Sequence, residues 1–87
     1  SSMELGKQNR LQVLRSTSVG LYLGDKDGQD VLLPNKYIPE GVEIGDELDV
    51  FLYRDSEDRL IATTLRPRIT LHRFASLRVK EVNDTGA

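Results

Sequence analysis

Short stretches of alternating apolar and polar residues, separated by clusters of Gly, Pro, Asp and Ser, fill most of the chain up to Pro67. Period-two alternation sends successive side chains to opposite faces of an extended strand, so each stretch predicts a β-strand with one face on a core. The first runs from about Lys7 to Arg15, with Leu11 and Val13 alternating against Gln12. After a turn at Ser16-Thr17-Ser18, the second spans Val19 to Leu23. It places Val19, Leu21 and Leu23 on one face and Gly20 and Tyr22 on the other. Gly24-Asp25-Lys26-Asp27-Gly28 is a dense turn signal that closes a hairpin onto the third strand, Asp30 to Leu33. Pro34 ends that strand because it cannot donate to a ladder.

The stretch from Pro34 to Asp46 has no alternation and reads as a long connection, with one short helical turn near Asn35 to Ile38. Glu47 to Arg54 is the fourth strand, with Leu48, Val50 and Leu52 inward and Asp49, Phe51 and Tyr53 outward. Asp55-Ser56-Glu57-Asp58 turns the chain into the fifth, Arg59 to Leu65, stopped by Pro67. Phe51, Tyr53 and Ile61 fall on the outward face by this count. Either the long connection or a neighbouring domain covers them, or they form a surface on which bases stack.

Five short strands in 87 residues, of which 38% are apolar and 30% charged, bound the architecture. A domain of this size buries only about 60–65% of its unfolded surface. A five-stranded antiparallel barrel suits it, because each strand then needs only one inward row. The chain has no Cys and one His, His72, so a disulfide framework, a thiolate metal site and a His-rich metal site are all excluded. No apolar run is long enough for a transmembrane helix or a signal-peptide core. Ser1 and Ser2 read as the remnant of an expression tag ahead of Met3.

Charge divides unevenly. Positions 1–65 hold 7 Lys and Arg against 12 Asp and Glu, whereas positions 66–87 hold 5 against 2. An acidic globule with a basic tail is a poor electrostatic footprint for tight phosphate binding by the globule alone. The tail also carries a faint repeat. Leu77 to Ala87 lies over Leu11 to Leu21 without a gap, matching Leu77 to Leu11, Val79 to Val13 and Gly86 to Gly20. The offset of 66 residues equals one barrel, which predicts tandem units. The expected organisation is residues 1–3 as tag and start, 4–66 as the barrel, and 67–87 as a basic linker leading into the truncated first strand of a second copy.

The order Leu11-Gln12-Val13, Val19-Gly20-Leu21-Tyr22-Leu23, Asp30-Val31-Leu32-Leu33-Pro34 and Glu47-Leu48-Asp49-Val50 resembles the S1 RNA-binding domain, an OB-fold barrel. More narrowly, the stretches Val31 to Gly41 and Asp55 to Thr64 are similar to the conserved virulence factor B family. That resemblance implies several S1-like domains followed by a winged helix, in an RNA-binding regulator of the bacterial cytoplasm. The S1 pattern has an aromatic residue before the Gly of the second strand, where Val19 stands as a departure, and another two residues after it, matched by Tyr22. A His commonly ends the third strand, but Leu33 stands there. An Asp and a basic residue four apart flank the last turn, matched by Asp55 and Arg59.

Tyr22, Asp55, Arg59, Lys36, Leu33 and Val19 are therefore the candidate nucleic-acid-binding positions. Plainer roles stand beside them: Tyr22 covering glycine backbone, Asp55 and Arg59 forming a loop ion pair, and Lys36 as a solvated charge. With neither the first aromatic nor the His, the domain is expected to bind single-stranded RNA weakly by itself. Neighbouring S1-like domains of the same chain are the expected partners, with no membrane and no cofactor. The alternative is a protein-interaction or spacer domain that does not touch RNA. An enzyme is not expected: there is no Cys nucleophile, no Gly-rich phosphate loop, no metal cluster and no Ser placed with a base.

Overall fold

The structure is a computed structural model that describes residues 3–67. Five strands, β1 (Gln8–Ser16), β2 (Gly20–Gly24), β3 (Asp30–Pro34), β4 (Glu47–Arg54) and β5 (Leu60–Thr63), close into a barrel in the order β1-β2-β3-β5-β4. The expected all-β, five-stranded barrel is present, with one correction. The β3–β5 pair is parallel, joined at Leu32 opposite Ile61, so the sheet is mixed rather than purely antiparallel. The long connection between β3 and β4 makes this possible, because it carries the chain back before β5 returns beside β3. A 3₁₀ turn at Asn35–Tyr37 begins that connection, where a short helical turn is predicted.

Alternation does the sorting. Leu11, Val13, Leu21, Leu23, Val31, Leu33, Val50, Leu52 and Ala62 form the buried cluster, and Tyr37, Ile38 and Val42 of the connection pack against it with Leu48. One polar group joins the inner row: the Asn9 amide donates to the Glu4 and Lys7 carbonyls and accepts the Glu4 N–H, all at 2.9 Å. That satisfies its burial locally and pins the incoming segment to β1.

Two irregularities shape the outer face. The β1–β2 register shifts between Val13 and Arg15, a β-bulge at Leu14. Without it Arg15 would share the inner face of Leu11 and Val13; with it Arg15 points outward, opposite Tyr22. The bulged Leu14 side chain lies over Gly24, where a Cβ would collide with it. At the other end of β2, Gly20 lies against the backbone of β3. A Cβ there would overlap the Leu33 carbonyl oxygen and reach 2.9 Å from the Pro34 α-carbon.

The bounds of β1, β2, β3 and β5 shift from expectation by one or two residues, and two of these shifts change a residue's surroundings. Val19 precedes β2 and is 56% exposed in the β1–β2 turn, so it does not share the inner face of Leu21 and Leu23. Its N–H is taken by the Thr17 hydroxyl within the turn. β5 ends at Thr63, and Leu65 is exposed. The repeat over Leu77 to Ala87 and the basic segment beyond Pro67 lie outside the described residues.

Candidate nucleic-acid interface

Residues paired across neighbouring strands project to the same side of a sheet. On the outer side, the pairs Arg15–Tyr22, Tyr22–Leu32, Leu32–Ile61 and Ile61–Tyr53 link end to end. One lateral row, Arg15-Tyr22-Leu32-Ile61-Tyr53, thus crosses all five strands. Tyr22, Leu32 and Tyr53 are half-buried, and Ile61 is buried between its neighbours. Phe51 lies in the next row of β4, opposite Thr63.

Both ends of the row are tied down. The Arg15 guanidinium lies over the Tyr22 ring at 4.4 Å from its centroid and donates to Asp30 at 3.1 Å. At the far end the Tyr53 hydroxyl shares a hydrogen bond with Tyr37 of the 3₁₀ turn. Partial burial first, and then Tyr37 and the Asp55 carboxylate, push the Tyr53 phenol above its ordinary value. The Thr64 hydroxyl donates to the Tyr37 carbonyl at 2.6 Å, fixing the turn against the end of β5. The connection therefore meets one of the outward aromatics, Tyr53, through Tyr37.

Val19 and Lys36 stand together at the end of the barrel where β3 finishes. Thr17 Oγ1 accepts the Val19 and Gly20 N–H groups, each at 3.3 Å, and donates to the Gly20 carbonyl at 2.8 Å. Asn35 then clamps the turn from across: its amide donates to the Ser18 carbonyl at 2.8 Å and its N–H to the Val19 carbonyl at 3.1 Å. Val19 is thus held in place, but an isopropyl group offers no π-face for a base. Lys36 is exposed, with its ammonium 5.1 Å from the Tyr37 ring centroid.

Asp55 and Arg59 lie at the opposite end, where β5 begins. One Asp55 oxygen accepts the Glu57 and Arg59 N–H groups and the other accepts Arg59 Nε, all at 2.9 Å. Those bonds, the Arg59 N–H foremost, hold the Asp55 carboxyl below its ordinary range. In return the Asp55 hydrogen bond, and then the charges of Asp55 and Glu57, make the Arg59 guanidinium harder to deprotonate than usual. The β2–β3 hairpin uses the same design. Asp25 Oδ1 accepts the Asp27 N–H at 2.9 Å and the Gln29 N–H at 3.0 Å, and Gly28 takes the positive φ that Asp58 takes in the other loop. The acidic residue of the pair is a turn organiser in both hairpins.

Leu33 is the candidate that the structure removes. It is fully buried, opposite Leu21 in the core, and presents nothing to a ligand. The outward position of β3 belongs to Leu32. Tyr22 thus sits mid-sheet, with Val19 and Lys36 at one end and Asp55 and Arg59 at the other, and the six positions do not form one cluster. Three further residues belong to this face: Arg15, Leu32 and Tyr37.

Elsewhere on the surface, an open cleft of about 300 Å³ is lined by Arg10, Gln12, Gly24, Asp25, Lys26 and Glu47. Arg10 there bridges Asp49 at 3.1 Å and Glu47 at 3.3 Å. The cleft shares no residue with the Arg15–Tyr53 row. Among the described residues no group of three or more His, Cys, Asp or Glu is placed to hold a metal ion, and no helix is long and apolar enough to cross a membrane.

The closed barrel agrees with comparisons to known proteins. The barrel superposes with a TM-score of 0.60 on a crystal structure of a multidomain protein with nucleic acid binding domains from Streptococcus pneumoniae TIGR4. The two are 24% identical, over 71% of this chain and 21% of that one. An uncharacterized protein, YitL, of Bacillus subtilis strain 168 is 37% identical over 87 residues. The match covers 98% of this chain and only 28% of the length of YitL. Residues 5–65 match the S1 domain model, which spans the whole barrel, and the chain belongs to the S1 domain family.

Proposed function

We propose that this chain is a single-stranded RNA-binding module, working across the outer face of β2, β3 and β5 within a longer bacterial regulatory protein of the conserved virulence factor B kind. The observation that carries this reading is the register-matched row from Arg15 to Tyr53, which sets aromatic rings and a cation on the strand face that OB-type barrels use for oligonucleotides. A fold that recurs in a protein with nucleic acid binding domains is consistent with it. The proposed setting is the cytoplasm, with further S1-like domains in the same chain as neighbours. The proposed action is binding, not catalysis.

Affinity in this reading comes from stacking, with little help from phosphate contacts. Arg10, Arg15, Arg54 and Arg59 each already face a carboxylate. Base–aromatic stacking is worth roughly 1–3 kcal/mol per base, so one barrel binds weakly, and linked barrels gain by effective concentration. The same neutralised arginines favour a second reading, a docking or spacer domain whose surface does not contact RNA.

A titration of the 87-residue chain with a fluorescent single-stranded RNA of about a dozen nucleotides, at two salt concentrations and beside Tyr22→Ala, separates the two. Binding that Tyr22→Ala weakens supports the RNA reading. No binding at low salt assigns the barrel to the docking reading.

A further inference from the structure

The Tyr22 ring does not stand open. Arg15, brought outward by the Leu14 bulge, lies over it at 4.4 Å. A base cannot lie on that face of the ring without first displacing the guanidinium. Asp30 opposes the displacement, holding Arg15 Nη2 at 3.1 Å from the start of β3. The cation is therefore fixed from two strands at once, yet its side chain remains 53% exposed.

We propose that Arg15 is the base-contacting residue of this face, with Tyr22 as the platform beneath it and Asp30 as its stay. The inference rests on the RNA-binding reading above. The ligand class is an unpaired nucleobase stacked on the guanidinium plane, which binds π-faces as well as anions. A phosphate is the wrong ligand here. The Asp30 carboxylate beside Arg15 cancels most of the attraction that a phosphate would feel, whereas stacking on a delocalised plane does not depend on net charge. The three residues lie on three strands, β1, β2 and β3, and only the bulge brings the first to the face of the other two.

The test uses the 87-residue chain, a fluorescent single-stranded RNA, and the variants Arg15→Lys, Arg15→Ala and Asp30→Asn across a salt series. Lysine keeps the charge and loses the plane. The expected result is that Arg15→Lys and Arg15→Ala both weaken binding about tenfold, on the scale of one stacking contact, with an unchanged salt slope. Asp30→Asn weakens it less, because Tyr22 still supports the guanidinium. Matching thermal midpoints across the set exclude unfolding as the cause.

Arg15→Lys binding as tightly as wild type overturns the proposal while leaving the RNA reading intact. So does a salt slope flattened by about 0.7 in Arg15→Ala and restored in Arg15→Lys, the signature of a phosphate contact on a single strand. A wild-type chain that binds no RNA overturns both readings.

Discussion

The two carboxylate oxygens of Asp55 divide Arg59 between them, one accepting its backbone N–H and the other its Nε, both at 2.9 Å. One ionised group thereby sets the turn and parks the side chain that follows it. The bond to the backbone is the part shared with Asp25 in the other hairpin, where Gln29 replaces the arginine. The Asp–Arg pair of the last turn is first a folding device, and the guanidinium is held at the barrel end as a by-product.

A pH dependence follows from that geometry. The folded Asp55 carboxyl is held below its ordinary value of 3.8, so the folded state binds its proton less readily than the unfolded chain. The stability it contributes is fully present above that value and is lost as pH falls through the lower, folded one. Asp55→Asn removes this contribution. The melting temperatures of wild type and Asp55→Asn are expected to differ most near pH 7 and to converge below about pH 4. A gap that stays constant through the acid range would contradict the assignment.

Asp58 occupies the position that Gly28 fills in the matched hairpin, with φ of 64° against 87°. A side chain in the left-handed region costs about 1 kcal/mol, somewhat less for Asp than for most residues. The ion pair from Asp58 to Arg54 is long, at 3.8 Å, and the Asp58 side chain is almost fully exposed, so it offsets little. Asp58→Gly is therefore expected to leave stability unchanged or raise it by about 0.5 kcal/mol. Gly28→Val should lower it by more than 1 kcal/mol. Urea midpoints of the two variants measure both.

Gly20 tests the close approach of β2 to β3. Gly20→Ala places a methyl group against the Leu33 carbonyl and the Pro34 backbone, neither of which is the end of a flexible side chain. The strands must separate at the edge of the Tyr22 row, at a cost of roughly 1–3 kcal/mol. Denaturant unfolding reads the loss. An unaltered midpoint would mean that the ladder absorbs the methyl group by a shift elsewhere.

Much of the barrel was legible because period-two alternation survives in the strands: Leu11 with Val13, Leu21 with Leu23, and Val50 with Leu52 all point inward as the pattern predicts. The bounds of β4, Glu47–Arg54, follow from the same rule. The site was less legible, for reasons that can be located. Arg15 sits two residues after Val13, so plain alternation turns it into the core, and a one-residue bulge at Leu14 leaves no periodic mark. Tyr37 lies in a connection without any period, and its role depends on a hydroxyl contact to Tyr53, far away in sequence. The parallel β3–β5 pairing is likewise a property of how the connection returns, which no local pattern encodes.

Leu33 and Leu32 provide the sharpest contrast between resemblance and geometry. A histidine commonly ends the third strand in the S1 pattern, and the chain has Leu33 there. Leu33 faces Leu21 in the core without exposure, whereas Leu32 stands half-buried in the outer row between Tyr22 and Ile61. Leu33→His replaces core packing with an imidazole that finds no partner among apolar neighbours. The loss should reach about 2–5 kcal/mol, enough to unfold much of a small domain. Leu32→His keeps the inner row intact and adds a ring beside Tyr22. It should cost no more than about 1.5 kcal/mol, because a half-exposed imidazole can reach water. The same variant should tighten single-stranded RNA binding, since it adds a stacking surface next to Arg15 and Tyr22. Thermal melts and RNA titrations of both variants decide the matter. Stable folding of Leu33→His with improved binding would place the third-strand contact where the S1 pattern puts it and overturn the outward assignment of Leu32.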